Sequence, residues 1–178
     1  QNTATLTPKS LTVTGVTIAA KTYDGTTTAV VSGGSLFGVI GTDIVNLTQT
    51  ASFVSPNAAN NVALIMSGSI AGSASSNYTL TVPTGITANI ARKALTVGGT
   101  SVAANKIYDG STATTISGGA LSGVITADLP NVSLSQSGNF VQSGVGTGLG
   151  VVVSTSITGT AAANYVVTQP ANLSANIA

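Results

Sequence analysis

The heptapeptide KTYDGTT, Lys21 to Thr27, returns as KIYDGST, Lys106 to Thr112, with Lys, Tyr, Asp and Gly at the same spacing. A repeat of this kind constrains the fold more than any local propensity, because each copy must bury a core of its own or share one with its neighbour. The similarity extends well beyond the heptapeptide. PKSLTVTG, Pro8 to Gly15, lies over RKALTVGG, Arg92 to Gly99, at an offset of 84 (Lys9 to Lys93). Ser32 to Leu47 lies over Ser117 to Val132 at 85 (Asp43 to Asp128), and Ser76 to Ala91 over Ala163 to Ala178 with Tyr78 on Tyr165, an offset of 87. The chain of 178 residues therefore reads as two modules, 1–91 and 92–178, each of a size at which a single core can stand alone. The copies are expected to differ in the loops Pro56 to Asn61 and Ser143 to Gly150. TATLT, Thr3 to Thr7, reads against TANIA, Thr87 to Ala91, and looks like the last strand of a preceding module, as in a piece of a longer array.

Within one module the apolar residues alternate with Thr and Ser, the period-2 signature of half-buried strands. Strands are expected over Leu11 to Ile18, over Thr28 to Leu36 with Gly33 and Gly34 as the stop, and, as one strand or two with a bulge or bend near Thr50, over Asp43 to Val54. Three more follow a loop at Pro56 to Asn61: Asn61 to Gly72, Asn77 to Val82 and Gly85 to Ala91. About seven short strands with regular turn signals predict an all-β chain of two tandem immunoglobulin-like β-sandwiches, set end to end. A β-grasp module is the alternative, and it needs a helix across its sheet. The best helical segments, Ser35 to Gly41 and Ala120 to Thr126, are rich enough in glycine to support at most a 3₁₀ turn. IARKALTV, Ile90 to Val97, joins the modules without Gly or Pro, so a nearly fixed junction is expected rather than a flexible linker.

Charged residues make up 5% of the chain and the net charge is +1, which offers no basic face to nucleic acid or to an anionic membrane. The densest apolar run, Val62 to Met66, is far shorter than a membrane span. With no Cys there is no disulfide or thiolate metal site, and with no His, Cys or Glu neither a triad nor a paired glutamate site can be assembled. Asp43 and Asp128 sit in turns, one per module, which is thin for calcium. The chain is therefore expected to be non-enzymatic, with no cofactor and no metal.

The repeated polar residues read as structure. Asp24-Gly25 and Asp109-Gly110 are turn signals in which the carboxylate accepts from amides just beyond it. Tyr23 and Tyr108 are expected to pack beneath those turns, and Lys21 and Lys106 to neutralise the aspartates. Asn77-Tyr78 and Asn164-Tyr165 read as a turn residue followed by a core aromatic entering a strand. A Lys–Asn isopeptide crosslink would need the amine, the amide and a carboxylate buried together. An ice-binding face would need a regular Thr lattice, which a period of about 85 residues does not supply.

Taken together, [PR]-K-x-L-T-V, K-x-Y-D-G-[TS]-[TS], G-x-L-x-G-V-[IV]-x-x-D and N-Y-x-[LV]-x-x-P, each present twice, resemble the YDG repeat domain found in tandem in filamentous-haemagglutinin-like, two-partner-secreted bacterial adhesins. The resemblance covers Pro8 to Ala91 and Arg92 to Ala178. It implies an exported, non-catalytic stalk or spacer module of a bacterial surface adhesin, acting in attachment or biofilm formation, with neighbouring modules of the same chain as its partners and a monomeric state. The alternative is a module that itself binds a glycan or a surface protein. GSASS, Gly72 to Ser76, and GTAAA, Gly159 to Ala163, stand where the family commonly has an acidic residue, so no ligand role is carried over to that position.

Overall fold

The computed structural model describes residues 5–178 and is all-β, with two compact units divided between Ala91 and Arg92; of the strand expected over Thr3 to Thr7, residues 3 and 4 lie outside the described residues and residues 5–7 are not strand. The first unit holds β1 (Lys9–Ile18), β2 (Lys21–Thr22), β3 (Thr28–Ala29), β4 (Val31–Phe37), β5 (Asn46–Phe53), β6 (Ala59–Ala71), β7 (Tyr78–Thr81) and β8 (Thr87–Ala91). They form two sheets, ordered β4-β1-β7 and β2-β8-β6-β5-β3. Most neighbours are antiparallel, but β1 runs parallel to β7 and β2 parallel to β8. Parallel pairing cannot be made by a hairpin; it brings the start of the module against its end.

Alternation explains which side of each strand faces inward. On β6, Val62, Leu64 and Met66 are buried while Ala63, Ile65 and Ser67 point outward, and on β5 Ala51 and Phe53 are buried. β1 contributes Leu11 and Val13 from the opposite sheet. The two sheets meet closely at Gly68, where a Cβ would touch Val82 Cγ1 and Leu80 Cδ2. Leu11 and Ile90 are fully buried, each contributing about 1.5–3 kcal/mol by leaving water.

The second unit holds β9 (Lys93–Gly98), β10 (Val102–Ala103), β11 (Ala113–Thr114), β12 (Ile116–Ser117), β13 (Ala120–Ser122), β14 (Ser133–Phe140), β15 (Gly146–Thr158), β16 (Tyr165–Val167) and β17 (Leu173–Ile177). Its sheets are β13-β9-β16, β11-β14-β15-β17 and the short pair β10-β12. Ala103, Phe140, Val151, Ala175 and Ile177 form its core, with Ile116, Leu149 and Leu173 packed against them.

Several local expectations are corrected by the pairing. Gly33 and Gly34 do not stop a strand; they lie inside β4, and it is at Val30 that the chain passes from one sheet to the other. β5 pairs with β6 in unbroken register from Asn46↔Ala71 to Phe53↔Leu64, so there is no bend at Thr50. Half of the Pro56 to Asn61 loop is strand, because β6 begins at Ala59 and absorbs the irregularity as a bulge before Val62, with Asn61 at φ 53°. The loops in which the copies are expected to differ, Pro56 to Asn61 and Ser143 to Gly150, are bounded by equivalent positions: Phe53 and Phe140, like Val62 and Leu149, hold the same place at an offset of 87, so neither copy has an insertion there.

The insertions lie elsewhere. One residue is added within Gly98 to Ser101, splitting the counterpart of the continuous β1 into β9 and β10. Two are added between Asp128 and Ser133, where a 3₁₀ segment, Thr126–Asn131, carries Pro130. Ser133, not Asn131, is therefore the counterpart of Asn46. The other 3₁₀ turns are Ser75–Asn77 and Ala162–Asn164, and Ser35 to Phe37 is strand rather than helix. Among the described residues no longer helix packs on a sheet, so the β-grasp alternative is not the arrangement found.

Gly33 and Gly118 explain the first glycine of the pair in both copies. Their φ values are 68° and 71°, and a Cβ would drive into the carbonyl oxygens of Gly15 and Thr100, respectively. Both a left-handed backbone and a close strand approach exclude a side chain here. Gly33→Ala should destabilise the first module by about 1–3 kcal/mol, read as a lowered denaturation midpoint with unchanged slope; an unaltered midpoint would contradict the packing at this crossing.

Candidate functional site

The repeated heptapeptide forms a turn closed by its lysine. In the first copy, Asp24 Oδ1 accepts from the Thr26 N–H at 2.9 Å and from the Thr26 hydroxyl at 2.9 Å, while Gly25 takes φ 77° to turn the chain. The Lys21 ammonium lies within the loop and donates to Asp24 Oδ1 (2.7 Å), Thr26 O (2.7 Å), Thr26 Oγ1 (3.0 Å) and Thr28 O (3.2 Å). It also stands 5.5 Å above the Phe53 ring, a cation–π distance. The second copy repeats the pattern. Lys106 reaches Asp109 Oδ1 at 2.6 Å, Ser111 O at 3.0 Å, Ser111 Oγ at 2.8 Å and Ala113 O at 3.3 Å, and Gly110 has φ 78°.

The expected ion pairs are present in both copies, with the lysine the more buried partner. Lys21 and Lys106 are 17% and 14% exposed, Asp24 and Asp109 52% and 56%, so each aspartate neutralises a largely buried lysine. The first Thr or Ser after Gly is needed because its hydroxyl accepts from the ammonium and donates to the carboxylate. Backbone bonds tie the turn to the sheet: Phe53 N–H to Thr27 O and Phe140 N–H to Thr112 O, both 2.8 Å. Lys21 also pairs with Ile90 on the last strand, and Lys106 with Ile177.

Tyr23 and Tyr108 part company. Each donates its N–H across the module at 2.8 Å, to Ala91 O and to Ala178 O. Yet Tyr23 is 5% exposed and Tyr108 56%, so the expectation that both rings pack beneath their turns fails for Tyr108. Identical backbone bonds with unequal burial mean that the motif fixes the position of the residue but does not itself cover the ring.

A second repeated contact joins Tyr78 and Tyr165 to the aspartates that the sequence left in turns. Asn77 and Asn164 close the 3₁₀ turns, and the tyrosines that follow are buried at the first position of β7 and β16. Tyr78 donates its hydroxyl to Asp43 Oδ2 at 2.6 Å and accepts from the Ile40 N–H at 3.0 Å. Tyr165 does the same with Asp128 Oδ2 at 2.6 Å and the Ile125 N–H at 3.1 Å. The Asp43 bond and burial raise the Tyr78 hydroxyl above its ordinary pKa, against the opposing Ile40 N–H. The signal was available, since both Asp and Tyr belong to the repeated motifs. Gln169 is different: it brackets Thr155, accepting from its N–H at 2.8 Å and donating to its carbonyl at 2.7 Å, and it has no counterpart because Val82 and Gly68 hold those places in the first copy.

Chemically, these groups hold loops. Both lysine ammoniums donate to an aspartate, to carbonyls and to hydroxyls of their own turns, not to an asparagine amide, so the arrangement is not that of a Lys–Asn crosslink. Tyr165→Phe would leave the Asp128 carboxylate and the Ile125 N–H short of a partner. It should destabilise the second module by about 1–2 kcal/mol in chemical denaturation; a neutral substitution would show that water replaces the hydroxyl freely.

Both turn aspartates are held at about 2, below an ordinary 3.8. For Asp24, partial desolvation pushes upward, but the Lys21, Thr26 N–H and Thr26 hydroxyl bonds outweigh it. For Asp109 the Lys106 bond leads, followed by the two Ser111 donors. A carboxylate depressed by folding adds stability that is complete above its unfolded pKa and is lost as pH falls from about 4 to about 2. The half-exposed carboxylates make the effect modest and salt-sensitive. The melting difference between the wild type and the Asp24→Asn/Asp109→Asn double variant, which keeps the amide oxygens, should therefore shrink across that window, and a constant difference would contradict it.

The YDG domain profile matches residues 7–86 and again 91–172. No curated protein and no solved structure gives a significant match to the chain. The two profile matches take in both lysine-closed turns and both Tyr–Asp contacts and cover most of the sequence: the chain belongs to the YDG domain family and carries two copies of that domain.

Proposed function

We propose that the two modules are structural repeats, a stalk or spacer in a large exported bacterial surface adhesin, which project a binding region for attachment or biofilm formation. The observation that carries this reading is where the acidic groups are used. The chain has four acidic residues, and all of them hold their own module together: Asp24 and Asp109 against lysines, Asp43 and Asp128 against tyrosines. A module whose scarce carboxylates all serve its own loops suits repetition along a fibre, with adjoining modules of the same chain as its partners. Two-partner secretion and a place at the cell surface belong to this proposal as its setting.

A second reading, a module that itself binds a glycan or surface protein, draws support from a shallow depression of about 300 Å³ on the β5–β6 hairpin. It is lined by Thr48, Gln49, Thr50, Ser67, Gly68 and Ser69, a neutral, hydroxyl-rich surface suited to a sugar rather than to an ion.

Small-angle scattering separates the two in combination with a glycan array and whole-cell binding. The spacer reading expects one elongated particle, insensitive to calcium and salt, together with no saturable binding by the isolated pair. A compact or broadly distributed shape would count against it, and saturable glycan or cell binding would promote the second reading.

A further inference from the structure

Among aspartyl dipeptides, Asp-Gly is the one most open to self-attack by the backbone. With no side chain on the following residue, the glycine nitrogen can reach the aspartyl carboxyl carbon. Both motif turns contain this pair, at Asp24-Gly25 and Asp109-Gly110, both carboxylates are half exposed, and Gly110 has open space where a Cβ would stand. We propose that these turns are isomerisable Asp-Gly sites and that Lys21 and Lys106 are their guards, blocking closure to a succinimide and so keeping each turn chemically intact over a long lifetime. This inference is independent of the spacer reading.

The reaction is self-contained. The Gly25 nitrogen attacks Cγ of Asp24; the N–Cγ bond forms and the Cγ–OH bond breaks. The hydroxyl departs with the amide proton as water. Water then opens the five-membered imide at either carbonyl. Opening at the side-chain carbonyl restores aspartate, and opening at the backbone carbonyl reroutes the chain through the β-carboxyl as isoaspartate. Only water is needed, and no redox partner takes part.

The turn opposes this step in two ways. First, it pins the carboxylate: Asp24 Oδ1 receives the Lys21 ammonium, the Thr26 N–H and the Thr26 hydroxyl at 2.7–2.9 Å, and Asp109 Oδ1 receives Lys106, the Ser111 N–H and the Ser111 hydroxyl at 2.6–2.9 Å. Rotating the carboxyl carbon toward the glycine nitrogen would break these bonds. Second, ring closure proceeds from the neutral acid, since hydroxide leaves a carboxyl group far better than oxide leaves a carboxylate. A pKa of about 2 in place of 3.8 reduces the neutral fraction at neutral pH by roughly 50-fold. The lysine contributes to both, and it alone supplies the charge.

The duplication provides an internal control. The full two-module chain and its Lys21→Met variant are incubated at 37 °C and pH 7, and isoaspartate at 24 and at 109 is quantified by peptide mapping with electron-transfer fragmentation, alongside the free peptide KTYDGTT. The wild type should isomerise far more slowly than the peptide at both sites. Lys21→Met should raise the rate at Asp24 by at least about fivefold, a conservative share of the roughly 50-fold change in neutral acid, and leave Asp109 in the same molecule unchanged. Because losing the lysine also loosens the first module, Tyr78→Phe, which weakens that module with the turn intact, is measured in parallel. Equal rates at Asp24 in the wild type and Lys21→Met would overturn the proposal. So would a wild-type rate matching the peptide, or an acceleration by Tyr78→Phe as large as that by Lys21→Met.

Discussion

The parallel pairing of β2 with β8, mirrored by the bridge from Lys106 to Ile177, is the contact on which each module depends. It joins residues nearly 70 positions apart (Lys21 to Ile90), so it forms only after the intervening hairpins have placed the last strand beside the second. The lysine-closed turn follows directly. Once Lys21 is fixed on the last strand, its side chain has one protected place to go, the concave side of the Asp-Gly turn. The three motif residues then satisfy one another. An ammonium so little exposed would be unfavourable without an anion and several carbonyls around it, and the turn supplies both.

The Tyr–Asp contacts do the corresponding work on the other sheet. Tyr78 and Tyr165 stand at the start of strands that run parallel to β1 and β9, and their hydroxyls reach back to loops that have no ladder of their own. In a chain with so few aromatic residues, a buried ring with a hydroxyl at its tip serves two purposes, filling the core and anchoring a loop.

Much of this was legible in the sequence because the repeat acts as a filter. Residues that return in both copies, Lys21 with Lys106, Asp24 with Asp109, Tyr78 with Tyr165, proved to be those with contacts that every module needs. The period-2 pattern gave the strands and the all-β class. What was not legible falls into two groups. Which partner a residue has is set by pairing over long separations, so Asp43 and Asp128 looked like turn residues until the strands brought tyrosine hydroxyls to them. Features present in only one copy, such as Gln169 bracketing Thr155, leave no repeated signal at all. The glycine pair misled for a related reason: glycine ends a strand in an isolated hairpin, but here it admits a second strand at close range.

The one extra residue between Gly98 and Ser101 divides in the second domain a strand that is continuous in the first. In the first copy a single ten-residue strand carries six register pairs to β4 and four to β7, so its two halves stand or fall together. In the second the same job is shared by β9, with three pairs to β13, and β10, with two to β12. A short two-stranded patch is the kind of element that opens locally before the rest of a domain lets go. Domains that share every motif thus need not open first at the same place, and a single inserted residue that leaves the recognisable sequence untouched is enough to create the difference.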